Sequence, residues 1–204
     1  MKISLKLLFL TLFVSFSTMN ASKASLLIEP YVGYAIGKQD YSLTANGSAT
    51  SVSSYLAPNG IAYGARAGLG FGPLYVTGDF SMWSYDGSIP GTTGNITPSH
   101  GFLTIGGTVI FSPPVLPFRV WVGYNFIDKN TQTWGSSEYS VTGSSIKFGG
   151  SFNLIPLISV NAEYIMSTYG NFSITNVSPT LGMNDVKQNT VLVSVSVPFS
   201  VPFL

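Results

Sequence analysis

Ala65-Arg66-Ala67-Gly68-Leu69-Gly70-Phe71-Gly72-Pro73-Leu74-Tyr75-Val76-Thr77-Gly78-Asp79 is the stretch on which the fold turns. Gly72-Pro73 is a dipeptide that punctuates structure, and it separates two runs with period-two character. Alternate residues of a strand point to opposite faces. Leu69, Phe71 and Val76 then share an apolar face, while Arg66 and Asp79 fall on the other face. Each of these two charges lies about six residues from the turn, so in an antiparallel hairpin they meet at one level. The hairpin has a greasy side and a charged side.

The same reading extends over the chain. Eight alternating segments run approximately over 26–37, 60–72, 73–85, 100–112, 117–128, 144–155, 157–169 and 188–200. Connections after the second, fourth and sixth are tight: Gly72-Pro73, Ser112-Pro113-Pro114-Val115-Leu116-Pro117 and Ile155-Pro156-Leu157. Those after the first, third, fifth and seventh are long and rich in Ser, Thr, Asn and Gly. Strict alternation of short and long connections is the pattern of a barrel that spans an outer membrane. A soluble sandwich has no reason to sort its loops in this way.

Composition agrees. Hydrophobic residues make up 45% of the chain and charged residues only 8%, against about 25% charged in ordinary soluble domains. The exterior of such a protein faces something other than water. Beyond residue 24 no unbroken apolar run reaches the ~18 residues of a spanning helix, and a bilayer admits only helices or closed barrels. The expected fold is all-β: an eight-stranded antiparallel up-and-down transmembrane β-barrel.

Parity tests this expectation. Val191, Val193, Val195, Val197 and Phe199 share one face of the last segment, with Ser194, Ser196 and Pro198 opposite. In the fifth, Phe118, Val120, Val122, Tyr124 and Phe126 oppose Arg119, Gly123 and Asn125. Glu29, Arg66, Asp79, Arg119, Lys147 and Glu163 all take the face opposite the apolar one, hence the barrel interior. A charge turned to lipid at mid-depth would cost about 2–4 kcal/mol. Three of the six are acidic and three basic. Arg66 with Asp79, and Lys147 with Glu163, bracket tight turns and are expected to pair; Arg119 and Glu29 are left as the third pair of opposite sign. The interior of an eight-stranded barrel is narrow enough for side chains to fill, so the six are read as a satisfied polar plug, with a narrow gated water path as the alternative. Tyr34, Tyr63, Phe71, Phe111, Phe118, Phe126, Phe152 and Phe199 sit near segment ends with outward parity, where interfacial girdles belong.

The first residues read as an export segment. Lys2 and Lys6 precede the apolar stretch Leu7 to Phe16, and Ser22-Lys23-Ala24 fits the small-x-small cleavage rule, so residues 1–24 are expected to be a cleaved signal peptide and 25–204 the barrel domain. Removal of Lys2, Lys6 and Lys23 from nine basic residues leaves six against eight acidic ones. That balance argues against nucleic acid as a partner. Cysteine is absent, so there is neither a disulfide framework nor a thiolate metal site.

With these residues in view, the chain resembles the small OmpA/OmpX-type outer-membrane barrels, the "outer-membrane protein β-barrel domain" families. Leu27-Ile28-Glu29-Pro30-Tyr31-Val32-Gly33-Tyr34 looks like their first strand, and Val191 to Phe199 looks like the C-terminal signal read by the barrel-assembly machinery. The chain departs from that signal by running on through Ser200-Val201-Pro202-Phe203 to Leu204, so Phe199 or Phe203 stands in for the terminal aromatic, or the ending is looser. The resemblance implies a bacterial outer-membrane location, outer-membrane lipids as surroundings, the assembly machinery as a partner during insertion, and a monomer. A large periplasmic domain of the kind some relatives carry is not expected.

Catalysis finds little support in the residues. The resemblance brings in barrels that modify lipid A with a His, a Ser and an acidic partner. The chain has a single histidine, His100, beside Ser99. Consecutive strand residues point to opposite faces, and Pro98-Ser99-His100-Gly101-Phe102 does not match the His-x-Ser arrangement of the deacylases. No cluster has metal-ligand spacing; Asp128 and Glu138, placed in one loop, make at most a weak calcium site. The sequons at Asn46, Asn95, Asn171 and Asn176 are by-products of Asn- and Ser-rich loops. Gly68-Leu69-Gly70 lies within a strand and cradles no phosphate. No cofactor is expected. The loop charges Lys38, Asp40, Asp86, Asp128, Lys129, Glu138, Asp185 and Lys187 are sparse and mixed. The expected role is structural or surface-interacting, with external loops as the recognition surface for an extracellular ligand. A narrow channel for small or apolar solutes is the first alternative and a lipid-modifying enzyme the second.

Overall fold

The computed structural model describes residues 24–45, 48–86, 99–134, 137–155, 157–170, 172–173 and 181–202. Residues 1–23, with nearly all of the expected signal peptide, lie outside them, as do the sequon asparagines Asn46, Asn95, Asn171 and Asn176. The described strands are β1 (Ala24–Ala45), β2 (Ser48–Leu56), β3 (Asn59–Phe71), β4 (Leu74–Asp86), β5 (Ser99–Phe111), β6 (Phe118–Trp134), β7 (Ser137–Ile155), β8 (Ile158–Tyr169), β9 (Phe172–Ser173), β10 (Leu181–Ser196) and β11 (Phe199–Pro202). Each wall strand pairs antiparallel with its neighbours, and β1 pairs with both β3 and β10, which closes the sheet. The wall has eight staves: β1, β3, β4, β5, β6, β7, β8 and β10.

Register fixes the shape of the cylinder. A path along paired residues from Glu29 runs through Arg66, Asp79, Gly106, Asn125, Ser145, Ser167 and Gln188 and returns to β1 at Gln39. From 29 to 39 it has climbed ten residues in one circuit. With about 3.3 Å per residue along a strand and about 4.8 Å between strands, that stagger tilts the staves by roughly 40°. Tilt of this order is what closes eight strands around a lumen that side chains can fill.

The tight ends follow from the turn residues. Phe71 pairs with Leu74, leaving Gly72 and Pro73 as a two-residue loop, and Gly72 has φ of 63°. Proline cannot take the second positive φ of a type I′ turn, so the loop belongs with type II′, which places glycine first. β11 continues the ladder of β10 against Ser25–Ile28 after a break at Val197-Pro198, where proline has no N–H to offer.

The long connections differ from the sequence reading. β2 carries on from β3 in the same register against β1, interrupted at Ala57-Pro58, where the Gly37 N–H donates to the Pro58 carbonyl at 2.6 Å. β6 reaches Trp134 and β7 starts at Ser137, so the expected loop over 129–143 is mostly hairpin. In this stretch the inward residue Asn130 is as polar as its outward neighbour Lys129. Hydrophobic alternation fades there, while backbone pairing continues from Asp128 opposite Gly143 to Trp134 opposite Ser137.

Outer and inner faces have opposite chemistry. Val32, Ile61, Val76, Val122, Phe148, Val193 and many like them are exposed around the wall. The girdle aromatics Tyr34, Tyr63, Phe71, Phe111, Phe118, Phe126, Phe152 and Phe199 are all exposed as well. A continuous apolar belt of this extent is unsustainable in water and natural in lipid. The inner face is largely Ser, Thr, Asn, Gln and charged residues.

Candidate functional site

The charged residues predicted to face inward are all buried in the lumen, each 5% exposed or less. They stand on six different staves, Glu29 on β1, Arg66 on β3, Asp79 on β4, Arg119 on β6, Lys147 on β7 and Glu163 on β8. Inward parity alone delivers them there. What binds them is reach across the lumen, which a ten-residue stagger makes hard to foresee.

Arg66 is the hub. Its Nε donates to Asp79 Oδ2 and its Nη2 to Glu163 Oε2, both at 2.8 Å. The guanidinium lies over the Trp121 ring at 4.4 Å and the Tyr31 ring at 4.9 Å, a stacked environment suited to the weakly hydrated guanidinium. Both carboxylates are shared further. Lys147 Nζ reaches Asp79 Oδ2 at 2.8 Å, the Tyr31 hydroxyl donates to Asp79 Oδ1 at 3.2 Å, and the Trp121 indole donates to Glu163 Oε2 at 2.6 Å. A second unit joins Arg119 and Glu29 through paired bonds of 2.9 and 2.7 Å. Ser151 accepts from Arg119 Nε, and Ser196 donates to Glu29 Oε1.

The Arg66–Asp79 pair therefore forms as the turn geometry requires. Lys147 and Glu163 do not pair with each other. Register sets Lys147 opposite Ile165, whereas Glu163 stands opposite Gly149, and each finds its partner on another stave. The room for these side chains comes from inward glycines. A Cβ on Gly149 would lie 2.6 Å from the Trp121 ring, and one on Gly64 would lie 2.6 Å from the Tyr31 ring.

Apolar packing closes the network at both ends. Toward the tight turns lie Leu27, Ile110 and Trp121, with Tyr75 against them. On the outer side Tyr31, Ala62, Trp83, Phe102, Ile165 and Leu192 belong to a larger cluster, with Trp83 and Phe102 stacked at 4.6 Å. An ion network enclosed by apolar layers is well screened from water, so each charge depends on its partner.

One interior carboxylate escaped the sequence reading. Asp128, counted among the loop charges, lies on β6 and is fully buried. Asn125 pairs with Gly106 and Ile127 with Ile105, so Phe126 is an extra residue on β6. Such a bulge resets the parity of everything beyond it, and Asp128 turns inward. It accepts from the Ser167 hydroxyl at 2.6 Å and the Tyr169 hydroxyl at 2.8 Å. The other supposed loop charges, Lys38, Asp40, Asp86, Lys129, Glu138, Asp185 and Lys187, also stand on strands; Lys38 and Asp40 form an exposed ion pair. Ser99 and His100 are consecutive residues of β5, with His100 opposite Tyr85 and Gln132.

No protein-family model and no curated protein matches the chain. Solved structures of similar fold include Neisserial surface protein A, at 15% identity, covering 86% of this chain and 99% of that one with a TM-score of 0.50. Ail, the attachment invasion locus protein of Yersinia pestis, also has 15% identity and a TM-score of 0.50, covering 87% and 99%. The outer-membrane protein OprG from Pseudomonas aeruginosa has 9% identity and a TM-score of 0.56, covering 88% and 97%. The shared feature is the fold, a closed eight-stranded antiparallel barrel.

Proposed function

We propose that this OmpA/OmpX-type outer-membrane barrel is a plugged membrane anchor that presents its external strand extensions as a surface for recognition. The observation that carries the reading is the lumen: six charged side chains from six staves, joined in two ion-paired units and flanked by apolar clusters. A filled lumen leaves the outer ends as the part available to partners. β1 with β2, and β6 with β7, project there as long hairpins. Attachment at the cell surface, the role named for Ail, is the kind of task such a platform serves. Outer-membrane lipids surround the barrel, the assembly machinery inserts it, it works as a monomer, and no catalysis is assigned to it.

Planar bilayers test the plug. The expected result is no stable open level for the wild type. A steady conductance that changes in Arg66→Ala would overturn the plugged reading in favour of a narrow channel. Binding of cells bearing the protein to host or bacterial surfaces should fall when the β6–β7 tip is shortened, while the folded band on an unheated gel persists. Turnover of labelled lipid A or phospholipid, lost in His100→Ala, would replace the reading with a lipid-modifying enzyme.

A further inference from the structure

The lipid-facing belt has a sharp upper edge where β1 meets β10. On β1 the outward residues Leu26, Ile28, Val32, Tyr34 and Ile36 are all exposed. From Leu26 to Ile36, at about 3.3 Å per residue and a tilt of roughly 40°, the strand rises about 25 Å. That is the height of the apolar band on an outer-membrane barrel. Val191, Val193, Val195, Phe199 and Val201 repeat the pattern on β10 and β11, and Val191 stands opposite Ile36.

The next outward positions change chemistry at once. Lys38 stands opposite Asn189 and Asp40 opposite Lys187, while Lys187 faces Thr168 on β8. Lys38, Lys187, Asn189 and Thr168 are exposed, and the intervening Gln39 and Gln188 are buried in the lumen. Lys38 Nζ meets Asp40 Oδ1 at 3.0 Å, along their own strand. Asp40 therefore turns away from Lys187 directly across, to which no ion pair forms among the described residues. Lys38 and Lys187 are diagonal neighbours, with backbones about 7–8 Å apart. Two flexible stems at that spacing can bring both ammonium groups to one anion.

Position says which anion. Lys38 and Asn189 lie two residues beyond Ile36 and Val191, about 5 Å higher, at the level of lipid head groups. A lysine there lays its stem along apolar surface and extends its charge into the interface. Among the described residues the exposed basic side chains are Lys38, Lys129 and Lys187, all beyond the outer edge of the belt. We propose that Lys38, Lys187 and Asn189 bind the phosphate of a phosphorylated glycolipid in the outer leaflet, with Thr168 beside its sugar. The proposal rests on the membrane-anchor reading and names one lipid contact within it. Two ammonium groups against one carboxylate leave a net positive charge for the phosphate. The Asn189 amide and the Thr168 hydroxyl both donate and accept, which suits sugar hydroxyls. Asp40 is then a competitor for Lys38.

The full barrel is refolded into phosphatidylcholine vesicles containing lipid A or its phosphate-free form, with a chelator present. It is then extracted in mild detergent, and the retained glycolipid is counted by native mass spectrometry. Wild type should retain lipid A and release the phosphate-free form. The double variant Lys38→Gln with Lys187→Gln should weaken retention about tenfold or more. Lys129→Gln, four staves away, should leave it unchanged. Asp40→Asn should strengthen it several-fold, because it frees Lys38 and removes a like charge beside the phosphate. Equal retention of the two glycolipids overturns the proposal, and so does equal loss from Lys129→Gln, which would show unlocalised attraction. Weaker retention in Asp40→Asn overturns it as well, since the acid would then be the anchor. So does full competition by a soluble sulfated glycan, which would make the patch a site for ligands from solution. In each case a persistent folded band on an unheated gel leaves the anchor reading standing; loss of that band in wild type sinks both.

Discussion

The middle of the lumen and its outer end are lined by the same alternation of strand residues, yet they bury charge by different means. In the middle, every carboxylate meets a guanidinium or ammonium group within 2.9 Å. At the outer end Asp128 is held by hydroxyls, those of Ser167 and Tyr169 among them, and no ion pair to it forms among the described residues. Hydroxyl rotors adapt to either protonation state or to an ion; an Arg fork bonded to two acids does not. The middle locks the staves to one another, and the outer end keeps spare capacity.

That contrast predicts a ranking of single substitutions, read from urea midpoints in lipid vesicles. Arg66→Met should cost most, about 3–5 kcal/mol, because it leaves buried Glu163 with no cation and only the Trp121 indole, and Asp79 with Lys147 as its single cation. Glu29→Gln should follow at about 3 kcal/mol, the low end of the same range, since Ser151 and Ser159 still contact Arg119. Lys147→Met should cost about 1.5–3 kcal/mol, the worth of one charged hydrogen bond, because Asp79 keeps Arg66. Equal losses from Arg66→Met and Lys147→Met would show that the network has no hub and would blur the contrast.

The sequence made the wall legible for a physical reason. Lipid outside and a filled lumen inside impose period two on every stave, so Val191, Val193 and Val195 announce the outer face and Glu29 or Arg119 the inner one. Gly72-Pro73 announced a turn because few dipeptides tolerate that backbone. Partner choice was legible only across a tight turn, as for Arg66 and Asp79. Glu29 and Arg119 meet across the lumen, where stagger decides the level and no local pattern encodes it. The β6–β7 extension was illegible because its inward Asn130 is as polar as its outward Lys129, which leaves no alternation to read. Asp128 was hidden by a single extra residue at Phe126, and a parity count that broke between Asn125 and Asp128 was the one signal available.

Asp128→Asn should be the mildest of the series, at about 0.5–1.5 kcal/mol, the net worth of an ordinary hydrogen bond. The amide keeps the shape of the carboxylate. Its carbonyl still accepts from Ser167 or Tyr169, and the displaced hydroxyl can rotate to accept from the new NH2. That NH2 also adds a donor to the outer lumen, where the carbonyl oxygens of Asn125, Asn130 and Gln188 have no partner among the described residues. Loss of a net charge from a buried site with no cationic partner removes an unfavourable burial as well as a favourable bond, so the two terms partly cancel. In the middle of the lumen no such cancellation exists, because each acid there already repays its burial through an ion pair. A loss from Asp128→Asn as large as that from Arg66→Met would mean that Asp128 draws on Lys147 as strongly as Asp79 does, and that the lumen is one continuous network.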